Sequence, residues 1–510
     1  MQIKTVDQLR AEYSFDVPVR VTSRINGVLV PAGEGHLLPI IYPATNEQVS
    51  ELQEADAAEV GRAVAAARAA FDNGPWPKMS VPERQAILRK AQQLIAQHQE
   101  ELAYLECLAA GLPMKHLQIR QVPRAAENFG FFAEYIGQMA GESFEQLPGY
   151  LTVVTRQPAG VAALIAPWNA PLALSTMQIA SCISFGNTCV LKPSEYTPLA
   201  IGRMVELLEE AGIPPGVVNI VNGRGHITGD ALVGHPDINR IAFTGGTPTA
   251  RMIMAKAAQN LTPVHFELGG KSANVVFADA DFEQAIDGSL INIFSNNGQI
   301  CIGGSRILVQ REIAERFIEA FVARTNNLLI GDPMDPASEI GPLAFKAHFD
   351  RVVSFADWAT ENGLKVLAGG EAVADCAGNF FRPTVVQVDD NSSRLCQEEI
   401  FGPFTTIQIF DTEEEALAIA NDSDFGLVAY LWTENLGRVM KFQQGIEAGT
   451  LWVNTPLARD LRAPFGGVKD SGIGRDGPRQ CAEFYTEEKA TIVAKGKVPL
   501  RKIGVKNNAG

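Results

Sequence analysis

One cysteine and one glutamate in this chain stand in settings suited to covalent chemistry. Cys301 lies in Asn297-Gly298-Gln299-Ile300-Cys301-Ile302-Gly303-Gly304-Ser305-Arg306, among small residues and with no second cysteine nearby to pair with it. Glu267 stands 34 residues upstream in Phe266-Glu267-Leu268-Gly269-Gly270-Lys271-Ser272, between an apolar run and a glycine pair. A thiol nucleophile needs room for its electrophile, and a hydrolytic step that follows needs a carboxylate base. Taken alone, Cys301 reads more readily as a buried structural thiol, the usual state of a free cysteine. The rest of the chain decides between the two.

The elements that must hold this pair belong to a long chain. Its 510 residues predict two or three domains, and 46% hydrophobic with 20% charged residues is ordinary for a soluble globular protein. A net charge of −15 argues against a nucleic-acid partner, which would need clustered Lys and Arg. Seven widely spaced cysteines, odd in number and without a C-x-x-C pair, predict a reducing compartment, the cytoplasm, rather than a disulfide framework or zinc site. The seven histidines have no metal-binding spacing, so no metal is expected. The polar N-terminus lacks the apolar core of a signal peptide. Gln157 to Val190 carries no charge, yet Pro158, Pro167, Asn169, Pro171 and Asn187 interrupt it. That pattern predicts a buried strand, loop and helix rather than a membrane span.

In chain order, the first fifty residues read as irregular strands. Helices follow, with capping-box spacing at Asp56/Glu59 and Ser80/Glu83, the second running to Ala110 and stopping at Gly111. From about residue 150, strands and helices alternate. Val161–Ala166, Thr188–Leu191, Val217–Val221 and Arg240–Thr244 read as strands, and Pro198–Ala211 as a helix. Apolar strands separated by helices predict a parallel sheet covered on both faces, with ligands at its carboxyl ends. A second alternating block begins near Ala273 and passes Asn454, followed by a short β-prone tail, Phe484–Val493.

Seven short motifs occur along this frame. They are Pro167-Trp168-Asn169, Lys192-Pro193-Ser194-Glu195, Phe243-Thr244-Gly245-Gly246-Thr247, the two segments above, Glu398-Glu399-Ile400-Phe401-Gly402-Pro403, and Pro464-Phe465-Gly466-Gly467-Val468-Lys469. Each is weak alone. In this order, from Ile25 to Val493, the set resembles the aldehyde dehydrogenase superfamily. The resemblance implies an α/β fold with a Rossmann-like dinucleotide-binding domain, a second α/β catalytic domain and a small bridging sheet. It implies a cofactor domain over 1–134 and 153–267, a catalytic domain over 268–483, bridging strands in 135–152 and 484–498 that join a homodimer or homotetramer, and a tail over 499–510.

It further implies NAD-dependent oxidation of a small-molecule aldehyde. Cys301 is expected to add to the carbonyl, with the Asn169 amide and the Cys301 N–H as oxyanion donors, and Glu267 to activate water against the thioester. Ile165, Pro167, Trp168, Lys192, Ser194, Glu195, Gly245, Gly246, Thr247, Leu268, Gly269, Glu399 and Phe401 are the expected cofactor residues. A carboxylate at Glu195 would repel a 2′-phosphate, favouring NAD over NADP. Arg459-Asp460-Leu461-Arg462 resembles the muconate-semialdehyde branch of the family, and Gly111-Leu112-Pro113 with Gly445–Gly449 look most like the 5-carboxymethyl-2-hydroxymuconate semialdehyde enzymes. Those substrates carry carboxylates, so Arg462 and Arg120 are the expected substrate forks. Rival expectations are a broad-range or aromatic aldehyde dehydrogenase, and a catalytically silent structural relative. Met177-Gln178 stands where the family usually has Trp-Lys and Asp476 where it has Glu, which leaves the proton relay from the base unassigned; Ala250 stands where the phosphate loop often has Gly, a small change that a helix start tolerates.

Overall fold

A computed structural model describes residues 2–33 and 35–504. Its first large sheet contains five parallel strands, Val161–Ile165, Thr188–Lys192, Val218–Ile220, Arg240–Thr244 and Val264–Glu267. Numbered along the chain, they stand in the order 3-2-1-4-5, the doubly wound order with a switch point between the first and fourth strands. Nearly every residue of these strands is buried, because helices such as Ala57–Asp72 and Pro171–Ser184 cover the two faces. The register pairs Ile165 with Lys192 and with Phe243, and Thr244 with Glu267, so the motif residues end four strands at one edge.

The charge-free stretch supplies a buried strand and the helix Pro171–Ser184, as its interruptions predict. Among the described residues no helix is long and apolar enough to cross a membrane. Two local expectations need correction. The helix expected to run to Ala110 is two helices, Val81–Gln97 and Gln99–Ala110, broken at His98, which leaves helical geometry (ψ 23°) while its ring pairs with Glu101 at 2.7 Å. The first fifty residues hold short strands but also a capped helix, Val6–Glu12, in which Thr5 and Gln8 satisfy each other's backbone N–H groups.

The second large sheet has seven strands, all parallel except Lys365–Ala368 at one edge. Ala273–Val276 lies between Arg306–Gln310 and Val428–Trp432, and the Cys301 loop leads directly into Arg306–Gln310. The chain then returns to the first sheet. Gly472–Ile473 pairs antiparallel with Val264–Glu267, and helix Pro478–Tyr485 packs on Pro171–Ser184. A third sheet pairs Tyr150–Pro158 with Thr486–Ala494 over nine residues and adds Glu142–Phe144. Tyr150–Pro158 continues across the boundary expected at residue 152.

Candidate active site

The loop carrying Cys301 is held by three successive residues in left-handed backbone, Asn296, Asn297 and Gly298 (φ 57°, 56° and 71°). Asparagine tolerates this geometry when its side chain finds local partners. Asn296 Nδ2 donates to the carbonyls of Asn169 (2.7 Å) and Gln299 (2.9 Å), and Asn297 bridges Gly111, Pro342 and Gly341. Gly298 is required twice over, since a Cβ there would enter the Gly402 backbone. The cysteine is thereby fixed between the two sheets on a loop that cannot easily shift.

Cys301, Glu267 and Asn169 line one cavity of about 560 Å³, together with Pro167, Trp168 and Glu399. Asn169 is buried, and one of its amide hydrogens goes to the Gln299 carbonyl at 2.9 Å, which fixes the plane of the group. Burial pushes the Cys301 thiol up to about 12, with the Glu399 and Glu267 carboxylates adding to the shift and Arg459 opposing it. A neutral thiol at physiological pH therefore needs a base within the cavity. Burial also raises Glu267 to about 7, despite the opposing contact with His265. Its Oε1 is buried and makes no hydrogen bond in the structure. A carboxyl poised near neutrality and left unpartnered suits proton transfer better than structure.

A second cavity of about 520 Å³ adjoins the first and shares Pro167, Trp168, Thr244, Gly245 and Gly246 with it. Ile165, Lys192, Ser194 and Glu195 line it. Lys192 is buried, and its Nζ donates to the Pro193 carbonyl (3.0 Å) and reaches Glu195 at 3.4 Å. Burial lowers the lysine's pKa while Glu195 resists the shift. Between the two cavities helix Thr247–Ala257 begins at Gly246 with no side-chain cap; Pro248 has no N–H and the Thr249 N–H goes to the Gly246 carbonyl (3.1 Å), so the Gly246 and Thr247 N–H groups are the ones left for an anion. At the other end, Thr247, Leu268, Gly269, Glu399 and Phe401 line the Cys301 cavity. The Gly270 N–H donates to Glu399 at 2.9 Å, and burial raises this carboxyl to about 6. All thirteen expected cofactor residues thus line one continuous groove. An uncapped helix start at its centre and a buried lysine–carboxylate pair at one end fit NAD.

The expected substrate arginines do not join this groove. Arg120 is exposed on the turn Leu117–Gln121. Arg462 is exposed too, because Asp460, two residues away, captures both its backbone N–H (2.9 Å) and its guanidinium (2.5 Å). Two other arginines, Arg459 and Arg124, lie within reach of each other's charge. Arg459 lies 4.0 Å from Asp476 and over the Phe465 ring, and its charge acts on both Cys301 and Glu267. Arg124 is brought down to about 10 by burial and by the Arg459 charge, and its buried Nη2 has no hydrogen-bond partner. Sequence reasoning also missed Arg351, which donates to the Glu399 and Ile400 carbonyls (2.6 and 2.8 Å), and Phe345, stacked on Tyr196 at 3.9 Å. Both sit at the start of or within an ordinary amphipathic helix, and no local pattern marks them.

The chain matches the model of the aldehyde dehydrogenase family over residues 30–491. It is 42% identical to 2-hydroxymuconic semialdehyde dehydrogenase of Pseudomonas sp. (strain CF600) over 478 residues, covering 92% of this chain and 98% of that one. It is likewise 42% identical to 5-carboxymethyl-2-hydroxymuconate semialdehyde dehydrogenase of Escherichia coli, covering 90% and 97% of the two chains. Among solved structures, PnpE from Pseudomonas sp. WBC-3 superposes with a TM-score of 0.92 at 42% identity, over 95% of this chain and 99% of that one, and PnpE has also been solved in complex with nicotinamide adenine dinucleotide.

Proposed function

The chain belongs to the aldehyde dehydrogenase family and is an aldehyde-oxidising oxidoreductase, and from that premise we propose that it oxidises a carboxylated semialdehyde to the diacid through Cys301, Glu267 and Asn169, using NAD. The observation that carries the reading is the convergence of these three side chains at one end of a groove whose other end holds Lys192 and Glu195. The Cys301 sulfur adds to the aldehyde carbon after losing its proton to a base in the cavity. The carbonyl oxygen, as it gains charge, meets the free hydrogen of the Asn169 amide and the Cys301 N–H. NAD, when bound, accepts the hydride that the substrate carbon gives up. Glu267 then takes a proton from the water that opens the Cys301 thioester.

Two features support the carboxylated substrate. Relatives that act on muconic semialdehydes align over nearly the whole chain. The buried Arg124 Nη2 has no hydrogen-bond partner and lies within reach of the Arg459 charge; Glu127, 3.7 Å from Arg124, and Asp476, 4.0 Å from Arg459, offset part of this positive charge, and a substrate carboxylate would meet the remaining donor. We therefore assign the distal carboxylate to Arg124 and Arg459 rather than to Arg120 and Arg462. Kinetics on paired semialdehydes with and without a distal acid, in wild type and Arg459→Ala, test this. The variant is expected to lose roughly 10- to 100-fold in kcat/KM on the acid and little on the neutral partner. An equal loss on both would favour a broad-range or aromatic aldehyde dehydrogenase.

The first sheet is the proposed cofactor-binding part and the second the catalytic part. Exposed Ile492 and Val493 on the third sheet support a homodimer or homotetramer, which light scattering separates. Seven unpaired thiols support a cytoplasmic location.

A further inference from the structure

His265 precedes Glu267 by two residues on strand Val264–Glu267, so the two side chains leave the same face of the sheet. The imidazole Nε2 lies 3.7 Å from Glu267 Oε1, and Nδ1 lies 3.8 Å from Asp476 Oδ1. Both gaps exceed a hydrogen bond by only a few tenths of an ångström. Nε2 and Oε1 are each buried with no hydrogen-bond partner, an arrangement that costs stability unless it serves a purpose. The ring's place is built into the fold. Phe484 lies at 5.5 Å, and Gly474 (φ 90°) leaves room where a Cβ would strike the imidazole. Asp476 is held by reciprocal backbone hydrogen bonds with Phe465 (2.6 Å each) and is partly exposed, as is Arg459 beyond it. The neighbouring Gln178 offers no alternative path. Its NH2 donates to the Ile165 carbonyl (3.3 Å) and the Thr244 hydroxyl (3.1 Å), its Oε1 has no partner, and an amide does not titrate.

We propose that His265 is the positioning and proton-accepting partner of Glu267, and that with Asp476 it forms the route by which the proton of the hydrolytic water leaves the site. This rests on Glu267 being the hydrolytic base. In the step, water's oxygen bonds to the acyl carbon, the C–S bond breaks, and Cys301 departs with the electron pair. The water proton taken by Glu267 passes to His265 Nε2. The imidazolium is stabilised by the Asp476 carboxylate beside Nδ1–H and releases one proton through Asp476 to solvent. One proton enters the relay and one leaves, with no change in oxidation state.

The charges around the ring agree with this role. Burial opposes a positive imidazole, but Glu267 and Asp476 outweigh burial and the Arg475 charge, so its pKa is raised. On Glu267, burial and Asp476 act upward, while His265 and Arg459 act downward. Removing the imidazole therefore shifts the carboxyl to higher pKa, and the acid limb of turnover should move to higher pH.

Stopped-flow NADH formation in the full-length enzyme with NAD and a simple aldehyde tests the proposal. His265→Ala and His265→Asn are compared with wild type, with thermal melting to confirm folding. The expected result is a retained burst of one NADH per site, steady-state turnover lower by about 10- to 100-fold, an acid limb moved upward, and partial recovery of His265→Ala, the variant with the larger void, on adding imidazole. Unchanged turnover and pH profile in both variants would overturn it. So would equal loss of burst and turnover without imidazole recovery, which marks a purely structural ring. If wild type itself forms no NADH from any aldehyde, the oxidation reading fails, and this inference fails with it.

Discussion

The two ends of the groove treat buried charged groups differently. At the Lys192 end each charge has a partner: the ammonium reaches the Pro193 carbonyl and Glu195. Glu399, on the way to the cysteine, is likewise held by the Gly270 N–H. At the cysteine end Glu267 Oε1, His265 Nε2, Gln178 Oε1 and Arg124 Nη2 are all buried without partners. A buried unpaired polar atom costs about 1–3 kcal/mol. That cost is offset where the unmet valences match groups that arrive with the substrate or develop charge during reaction.

The largest effect should come from breaking the reactive end alone. Cys301→Ala is expected to reduce NADH formation by roughly 10⁴-fold or more while NAD binding, followed by quenching of tryptophan fluorescence, stays close to wild type. Loss of both together would mean that the loop supports the whole groove and that the two ends are not separable. A smaller and opposite test addresses the binding end. Glu195→Ser should raise the kcat/KM ratio of NADP to NAD by about tenfold, equivalent to about 1.4 kcal/mol, with the rate of the chemical step little changed. An unmoved ratio would remove Glu195 from the cofactor ribose.

The binding end was the more legible in the sequence. Its residues sit in short segments at strand ends, where the Gly-Gly-Thr run marks a strand-to-helix turn and the Lys-Pro-Ser-Glu run gains its meaning from the family resemblance. A parallel sheet covered on both faces followed from buried apolar runs alternating with helices, and the structure adds the order and register, with residue 165 paired to 192 and 243. Cys301, Glu267 and Asn169 were also visible as motif residues, and the fold brings all three to one cavity. What surrounds them was not visible. Arg124, Arg459 and Asp476 meet only because Gly472–Ile473 returns to pair with Val264–Glu267, a contact spanning about two hundred residues that no local pattern announces. The Arg-Asp-Leu-Arg run shows the converse. It contains its own charge partner, since Asp460, two residues away, pairs with the exposed Arg462 guanidinium. His265 carried no motif and acquired meaning only from its neighbours on the finished sheet.

The central claim is that one cavity performs two steps, a thiol addition that yields NADH and a hydrolysis that depends on Glu267. Rapid mixing of Glu267→Gln with NAD and aldehyde, read by NADH absorbance and by intact-protein mass spectrometry, separates them directly. Glu267 is raised to about 7, so wild-type turnover should fall as pH drops through that value and the carboxylate is protonated. The variant should lack this limb. Glu267→Gln should give an NADH burst near one equivalent per site, steady-state turnover slower by roughly 10²- to 10⁴-fold, and an acyl adduct on Cys301. Multiple turnovers at the wild-type rate, with an unaltered acid limb and no adduct, would contradict that claim.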